Sequence, residues 1–428
     1  MRIMKDSGIA WIGEIPIDWN KNKVFRIFDI IGSGTTPKSN NEQNFNGTIK
    51  WIQSGDINGA ELFDCKTSIS ENAFNSSSAL KIYRAPYIII AMYGASVGNI
   101  SISNIDACVN QACCVLGGRV YNLKYAYYAL KTAKDYLVWK AVGGGQPNIS
   151  QDTIKQLWLP DPSQKAKERI ARFLDVKCSH IDSVIEKTRA AIEEYKRLKQ
   201  SVITQAVTKG IRPNREMKDS GVEWIGGIPK EWNVVKIKHL GEYRNGLTYN
   251  PTDVVDKSGG VLVLRSSNIQ HGKLCLVDNV YVNMTIPEQL MVKKGDIVIC
   301  SRNGSKALIG KCAVVEESMV ASFGAFMMSY RCKSSKYMYY ILNSEVFKYH
   351  LNTFLTATIN QLTGGNFGNM SIVWCNNESE QSEIVAYLDE KTAAIDSLIQ
   401  KKEQLITELE AYKKSLIYEY VTGKKEVV

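Results

Sequence analysis

Arg302, Asn303, Ser305 and Lys306 come shortly after the apolar run Asp296-Ile297-Val298-Ile299. A polar, basic loop at the end of a buried strand can offer a guanidinium to guanine, an amide to adenine and an ammonium to phosphate. Tyr93 and Ser96 hold the matching place after Tyr87-Ile88-Ile89-Ile90, a second run of the same kind. Further along, Gln146 and Asn148 in one half and Asn360 and Gln361 in the other occupy equivalent loops. Asn and Gln pair bidentately with adenine, and they also form turns through side-chain-to-backbone hydrogen bonds. Lys38, in Gly34-Thr35-Thr36-Pro37-Lys38, is a candidate phosphate contact. Together these residues point to contact with a nucleic acid.

The equivalence of the two halves rests on a duplication. MKDSGIAWIGEIPIDW (Met4 to Trp19) returns as MKDSGVEWIGGIPKEW (Met217 to Trp232), with eleven of sixteen positions identical at an offset of 213. Ile170 to Thr208 aligns without a gap to Ile384 to Thr422 at an offset of 214. Periods this long exceed the roughly 20–50 residues of solenoid units, so a whole domain with a following helix is repeated. Trp11, Trp19, Trp224 and Trp232 recur at fixed repeat positions and are expected to be core or docking anchors.

Two segments must position the loops. Gln164 to Lys209 and Asn376 to Thr422 contain neither Pro nor Gly, open near Ser163 and near Asn377 or Ser379, and end at Gly210 and Gly423. These are helix signals. At about 46 residues each would span roughly 70 Å. In the second, Leu388, Ile395, Leu409 and Leu416 keep seven-residue spacing, with Leu398, Leu405 and Tyr412 three residues after such positions. The first repeats this with Leu174, Ile181, Tyr195 and Val202 plus Val184, Ala191 and Leu198. Thr188 and Lys402 interrupt these seams at mid-length. Each helix is the obvious partner of the other. The expected shared core is Leu174, Ile181, Val184, Leu198, Leu388, Ile395, Leu398, Leu409 and Leu416. The preceding blocks alternate short β-rich runs with Gly, Asn, Ser and Pro turns, and carry helices expected near Leu123 to Lys140 and Ser335 to Phe354. The fold class expected is α+β.

With 428 residues, 44% hydrophobic and 22% charged, the chain suits two to three soluble globular domains. No apolar run approaches 18 residues, and MRIMKDSGIAW lacks a signal-peptide core, so a cytoplasmic protein without a membrane partner is expected. The ten cysteines are scattered and never form Cys-x-x-Cys, which reads as reduced buried thiols. The four histidines have no His or Cys neighbour at ligand spacing, so no metal site is expected. A net charge of +10 favours a polyanionic partner.

Ser305-Lys306-Ala307-Leu308-Ile309-Gly310-Lys311-Cys312 lacks the first Gly and final Ser/Thr of a phosphate-binding loop. Val142-Gly143-Gly144-Gly145 lacks dinucleotide spacing and reads as a glycine turn. A methyltransferase Asn/Asp-Pro-Pro-aromatic signature and a Ser-His-Asp set are likewise missing. No catalytic residue is expected. Two other readings stay open: a protein-assembly scaffold built on the coiled coil, and a nuclease with an unrecognised site.

The chain resembles the specificity (S) subunits of type I restriction-modification systems. The resemblance is carried by DSGIAWIGEIPIDW and its repeat, GSGTTPKSN at Gly32 to Asn40, AMYGASVGNISI at Ala91 to Ile102 with Asn110-Gln111, and QPNIS at Gln146 to Ser150. GDIVICSRNGSKALIGKC at Gly295 to Cys312, SFGAF at Ser322 to Phe326, NQLTGGNFGNMSI at Asn360 to Ile372 and the duplicated helices complete it. The resemblance implies target recognition domains at residues 1–163 and 211–375. It implies helices at 164–210 and 376–428 that pack as an antiparallel coiled coil, dock methyltransferase and set the spacing of two half-sites. It further implies a non-catalytic subunit that binds an asymmetric, interrupted site in double-stranded DNA and recruits two methyltransferase (M) subunits, then restriction (R) subunits. No cofactor would be bound by this chain; S-adenosylmethionine, ATP and Mg²⁺ would serve the partners.

Overall fold

The structure, a computed structural model, describes residues 2–118, 122–141, 148–355 and 360–427. Two compact units emerge, Met1–Lys187 with Gln404–Val428, and Thr188–Glu403. Each holds one β-rich domain and parts of both long helices. The helices run over Gln164–Lys209 and Glu378–Val421. Ser163 Oγ caps the first by accepting from the Ala166 amide at 3.4 Å, and Asn377 Oδ1 caps the second by accepting from the Glu380 amide at 3.0 Å. Gly210 and Gly423 end them at φ +75° and +72°, the left-handed turn that glycine makes without steric cost.

In the first unit a five-stranded sheet runs in the order Ile30–Gly32, Cys113–Gly117, Tyr87–Ala91, Ile100–Ser103, Glu61–Leu62, antiparallel except for the parallel last pair. Its Tyr87–Ala91 strand is buried throughout, which is why it reads as a continuous apolar run rather than an alternating one. Beside it, Phe45–Ile52 pairs in parallel with Cys108–Val109 and antiparallel with Ser68–Ile69. The second unit repeats the plan. Gly241–Asn245, Met327–Cys332, Ile297–Cys300 and Cys312–Val314 form one antiparallel sheet. Val261–Leu264 pairs in parallel with Ala321–Phe323 and antiparallel with Val280–Val282. The expected domain helices are each broken in two: Leu123–Thr132 and Lys134–Trp139 in the first unit, Ser335–Leu342 and Glu345–Phe354 in the second.

The duplicated motif opens each β-rich domain with a hairpin turn. Asp6 Oδ1 accepts from Gly8 N at 2.8 Å and Ser7 Oγ from Ile9 N at 3.2 Å; Asp219 and Ser220 do the same for Gly221 and Val222 at 3.0 and 3.1 Å. Ile9, Ile12, Ile15 and Trp19 share a core with Leu416, Ile417 and Val421. Ile225, Ile228 and Trp232 share one with Ile203, Ala206 and Val207. The motif therefore seats the end of a long helix in each unit. Trp224 stacks on Tyr349 with ring centroids 4.5 Å apart, and Trp11 is partly buried against the first core. The domain helices dock through a matched pair of contacts, Tyr128 Oη donating to Asp175 at 2.8 Å and Tyr340 Oη to Asp389 at 2.5 Å.

The long helices pack antiparallel. Asp182 meets Lys413 at 2.5 Å in the first unit, and Lys199 meets Asp396 at 2.6 Å in the second. Those are the same two repeat positions used twice. Leu174, Ile181, Leu388, Ile395 and Leu416 are buried, and Val184 and Leu409 partly so. Leu198 and Leu398 are not core residues: they are 49% and 41% exposed, and Leu405 and Tyr412 are exposed with them. The buried stripe advances by four residues where the sequence reading took three, through Cys178, Ile185, Ile192 and Thr392. Each helix packs on a β-rich domain as well as on its partner, and burying both contacts displaces the stripe from a two-helix seam. Thr188 lies buried in that stripe, and Lys402 keeps its ammonium 5.7 Å from the Tyr195 ring, so neither interrupts the packing. Truncating Leu388 to Ala should cost about 2–5 kcal/mol in denaturant unfolding, against about 0.5 kcal/mol or less for Leu398→Ala. Equal losses would contradict this register.

Candidate nucleic-acid interface

The loop after Ile297–Cys300 is held by backbone bonds that leave Arg302 exposed while Ser301 is buried. Ser301 and Arg302 amides donate to Phe326 O at 3.0 and 3.1 Å, and Ser301 O accepts from Leu362 N at 2.7 Å. Arg302 and Gln361 thereby face one another as an antiparallel bridge. The Arg302 guanidinium lies 5.2 Å from the Phe326 ring centroid. Lys306 stands exposed at the start of a short turn of helix, Lys306–Leu308. Gly310, at φ +85°, returns the chain where a Cβ would meet Leu351 at 2.4 Å.

Asn303 is engaged differently from the sequence expectation. Its Nδ2 donates to Ser266 Oγ at 3.2 Å and its Oδ1 accepts from Ser305 N at 2.9 Å, so its amide shapes the loop. Asn360 is half-buried, with an Oδ1 that accepts nothing among the described residues, while its neighbour Gln361 is exposed.

The first unit builds the same clamp from other residues. Met92 N donates to Ala112 O, and Met92 O accepts from Ile149 N, both at 2.7 Å. Tyr93 and exposed Asn148 thus occupy the places of Arg302 and Gln361; Gln146 lies outside the described residues. Burial pushes the Tyr93 phenol up from its ordinary value, so it remains the protonated donor that any tyrosine is at neutral pH. Ser96 sits in the turn that follows, its carbonyl accepting from Asn99 N at 2.9 Å. Helix Lys134–Trp139 supports that turn, with Lys134 Nζ donating to Asn99 Oδ1 at 2.7 Å. Lys38 is exposed on a neighbouring loop tied in by Thr36 Oγ1 donating to Gln111 Oε1 at 2.6 Å. That loop needs Gly34, since a Cβ there would lie 1.8 Å from Val109 O; Gly246 meets Gly324 O at 2.1 Å in the second unit.

Phe326, Gln111 and Ser266 were not among the expected site residues. Phe326 is 58% exposed beside the buried Met327 and Met328, and nothing in the local sequence separates it from a core aromatic. Gln111 and Ser266 carried no local signal, because their roles come from partners 75 and 37 residues away. The second unit's clamp presents a guanidinium and an amide, the first unit's a phenol and an amide, and Lys306 and Lys38 add an ammonium near each, all groups suited to base edges and phosphates.

The family described as the type I restriction modification DNA specificity domain matches residues 16–194 and again 229–408. The MjaVIII specificity subunit of Methanocaldococcus jannaschii is 26% identical over 314 residues, 71% of this chain and 70% of that protein. The EcoKI specificity subunit of Escherichia coli K12 is 26% identical over 206 residues, 46% of this chain and 44% of its own length. A solved chain from work on the assembly and conformational transition of the type I restriction-modification system superposes with a TM-score of 0.73. At 15% identity, covering 96% of this chain and 99% of that one, it bears on the fold. With two family domains spanning most of its length, the chain belongs to the DNA specificity subunits of type I restriction-modification systems.

Proposed function

We propose that this chain is the non-catalytic reader of a type I complex, and that it recognises an asymmetric DNA site in two parts, one per domain. The observation that carries this reading is the pair of matching clamps with unlike side chains, Tyr93 and Asn148 in one domain, Arg302 and Gln361 in the other. One frame with two sets of polar groups reads two different half-sites. Methyl transfer and ATP-dependent cleavage then belong to M and R subunits, which would bind S-adenosylmethionine, ATP and Mg²⁺. A duplex adenine must be flipped into a methyltransferase pocket to be modified, and the chain carries none of that family's sequence signature.

Leu405 and Tyr412 support the second helix as a docking surface for M subunits. Both are exposed and lie seven residues apart along one line of the helix within the first unit. Replacing Leu405 and Tyr412 with Glu should abolish co-purification of the cognate M subunit while unfolding stays near wild type. Undiminished co-purification would place the contact elsewhere.

Exchanging residues 1–160 for the corresponding domain of another such subunit tests the two-part reading. Methylation mapping of cells carrying the complete system should find one half of the modified motif changed and the other kept; a change in both halves refutes modular recognition. Lys38→Ala should weaken duplex binding on all sequences alike and flatten the salt dependence by about one unit of slope. A sequence-selective loss would instead make Lys38 a base contact. The chain alone, given S-adenosylmethionine, ATP and Mg²⁺, should neither methylate nor cleave DNA, and methylation by the chain alone would overturn the division of roles.

A further inference from the structure

Arg302 and Gln361 are brought face to face by backbone geometry. The 2.7 Å bond from Leu362 N to Ser301 O flanks the pair, and their bridge is antiparallel. That pattern marks a non-hydrogen-bonded pair, with Cα atoms about 4.5 Å apart and both side chains on one face. Both residues are exposed, and neither side chain has a hydrogen-bond or ion-pair partner among the described residues. What the guanidinium does have is the Phe326 ring, 5.2 Å from its centre. The Phe326 carbonyl also accepts from both the Ser301 and Arg302 amides, so ring and guanidinium are fixed to one backbone junction. An exposed phenylalanine has little core to serve here; covering one face of the guanidinium leaves its donor edge free to point outward.

We propose that Arg302 and Gln361 read two adjacent base pairs in the major groove, a G·C pair by the guanidinium and an A·T pair by the amide. Phe326 is the positioning residue that holds Arg302 in its reading pose. The inference rests on the DNA-reading function proposed above. Arginine matches guanine O6 and N7, and glutamine matches adenine N6 and N7, each bidentately. Side chains rooted about 5 Å apart across a strand pair match neighbouring bases stacked about 3.4 Å apart, not bases separated by a turn of helix. In the first unit the equivalent places hold Tyr93 and Asn148, so this guanine–adenine step belongs to the second domain's half-site alone.

The test uses the full-length chain in complex with its cognate M subunits and a duplex library randomised over the site, read by selection and sequencing. Arg302→Ala should lose the preference for guanine at one position, and Gln361→Ala the preference for adenine at the next, each by roughly 5- to 150-fold. Arg302→Lys keeps the charge but not the fork, so it should retain much of the overall affinity while losing the guanine preference. Phe326→Ala should relax the guanine position only, and Phe326→Tyr should restore it, with melting temperatures unmoved. If Arg302 and Gln361 govern non-adjacent positions, or Phe326→Ala alters every position or none, the proposal fails. A wild-type preference untouched by Arg302→Ala and Gln361→Ala would overturn this pair alone. A wild-type complex without any preferred sequence would overturn DNA reading itself.

Discussion

Each long helix has an apolar stripe that it cannot bury alone, and the rest of the architecture follows from how that stripe is covered. Within each unit it is covered twice, by the antiparallel partner helix and by the β-rich domain. One charged pair fastens the helices in each unit, Asp182 with Lys413 and Lys199 with Asp396, at equivalent repeat positions. Because the partners are copies of one ancestral segment, any residue useful at one contact is available at the other in the reverse direction. Isolated surface ion pairs contribute little, about 0–1 kcal/mol; the buried side chains of each unit's core carry the stability. What each charged pair adds is register within its own unit, since sliding one helix segment past the other there would separate it.

The duplicated Asp-Ser-Gly motif gains its meaning from the same constraint. A helix end that stops at a left-handed glycine leaves apolar residues of its last turns to be covered. The hairpin of the motif brings three isoleucines and a tryptophan to that place in the first unit, and Ile225, Ile228 and Trp232 in the second. Gly423 shows how close the approach is: a Cβ would meet Pro16 at 2.6 Å and Trp19 at 2.9 Å. Identity between the two copies of the motif thus reflects a shared packing task.

Much of this is legible in the sequence. The helix limits followed from Ser163, Asn377, Gly210 and Gly423 because caps act through local backbone geometry. The duplication made the two-unit plan readable. The seam register was misread at Leu198 and Leu398, because spacings of three and four residues both continue a heptad and only the domain against the helix decides between them. Site loops were found where an apolar run ended in polar residues. That Arg302 would face Gln361, or that Asn303 would be spent on Ser266, depended on pairings across 59 and 37 positions of chain, which no local pattern encodes.

The clamp also accounts for how such domains can diverge in what they read. Its bonds run from main chain to main chain, Met92 to Ala112 and Ile149, Ser301 to Phe326 and Leu362. Backbone bonds of this kind are indifferent to the side chains they display, so replacing a tyrosine by an arginine leaves the frame intact. The residues that cannot vary are those whose lack of a side chain lets chains meet, Gly34 over Val109 and Gly246 over Gly324. A reading surface built this way separates two demands that usually conflict. Geometric precision comes from glycines and amides beneath the surface, and chemical choice from exposed side chains whose exchange disturbs little of the core.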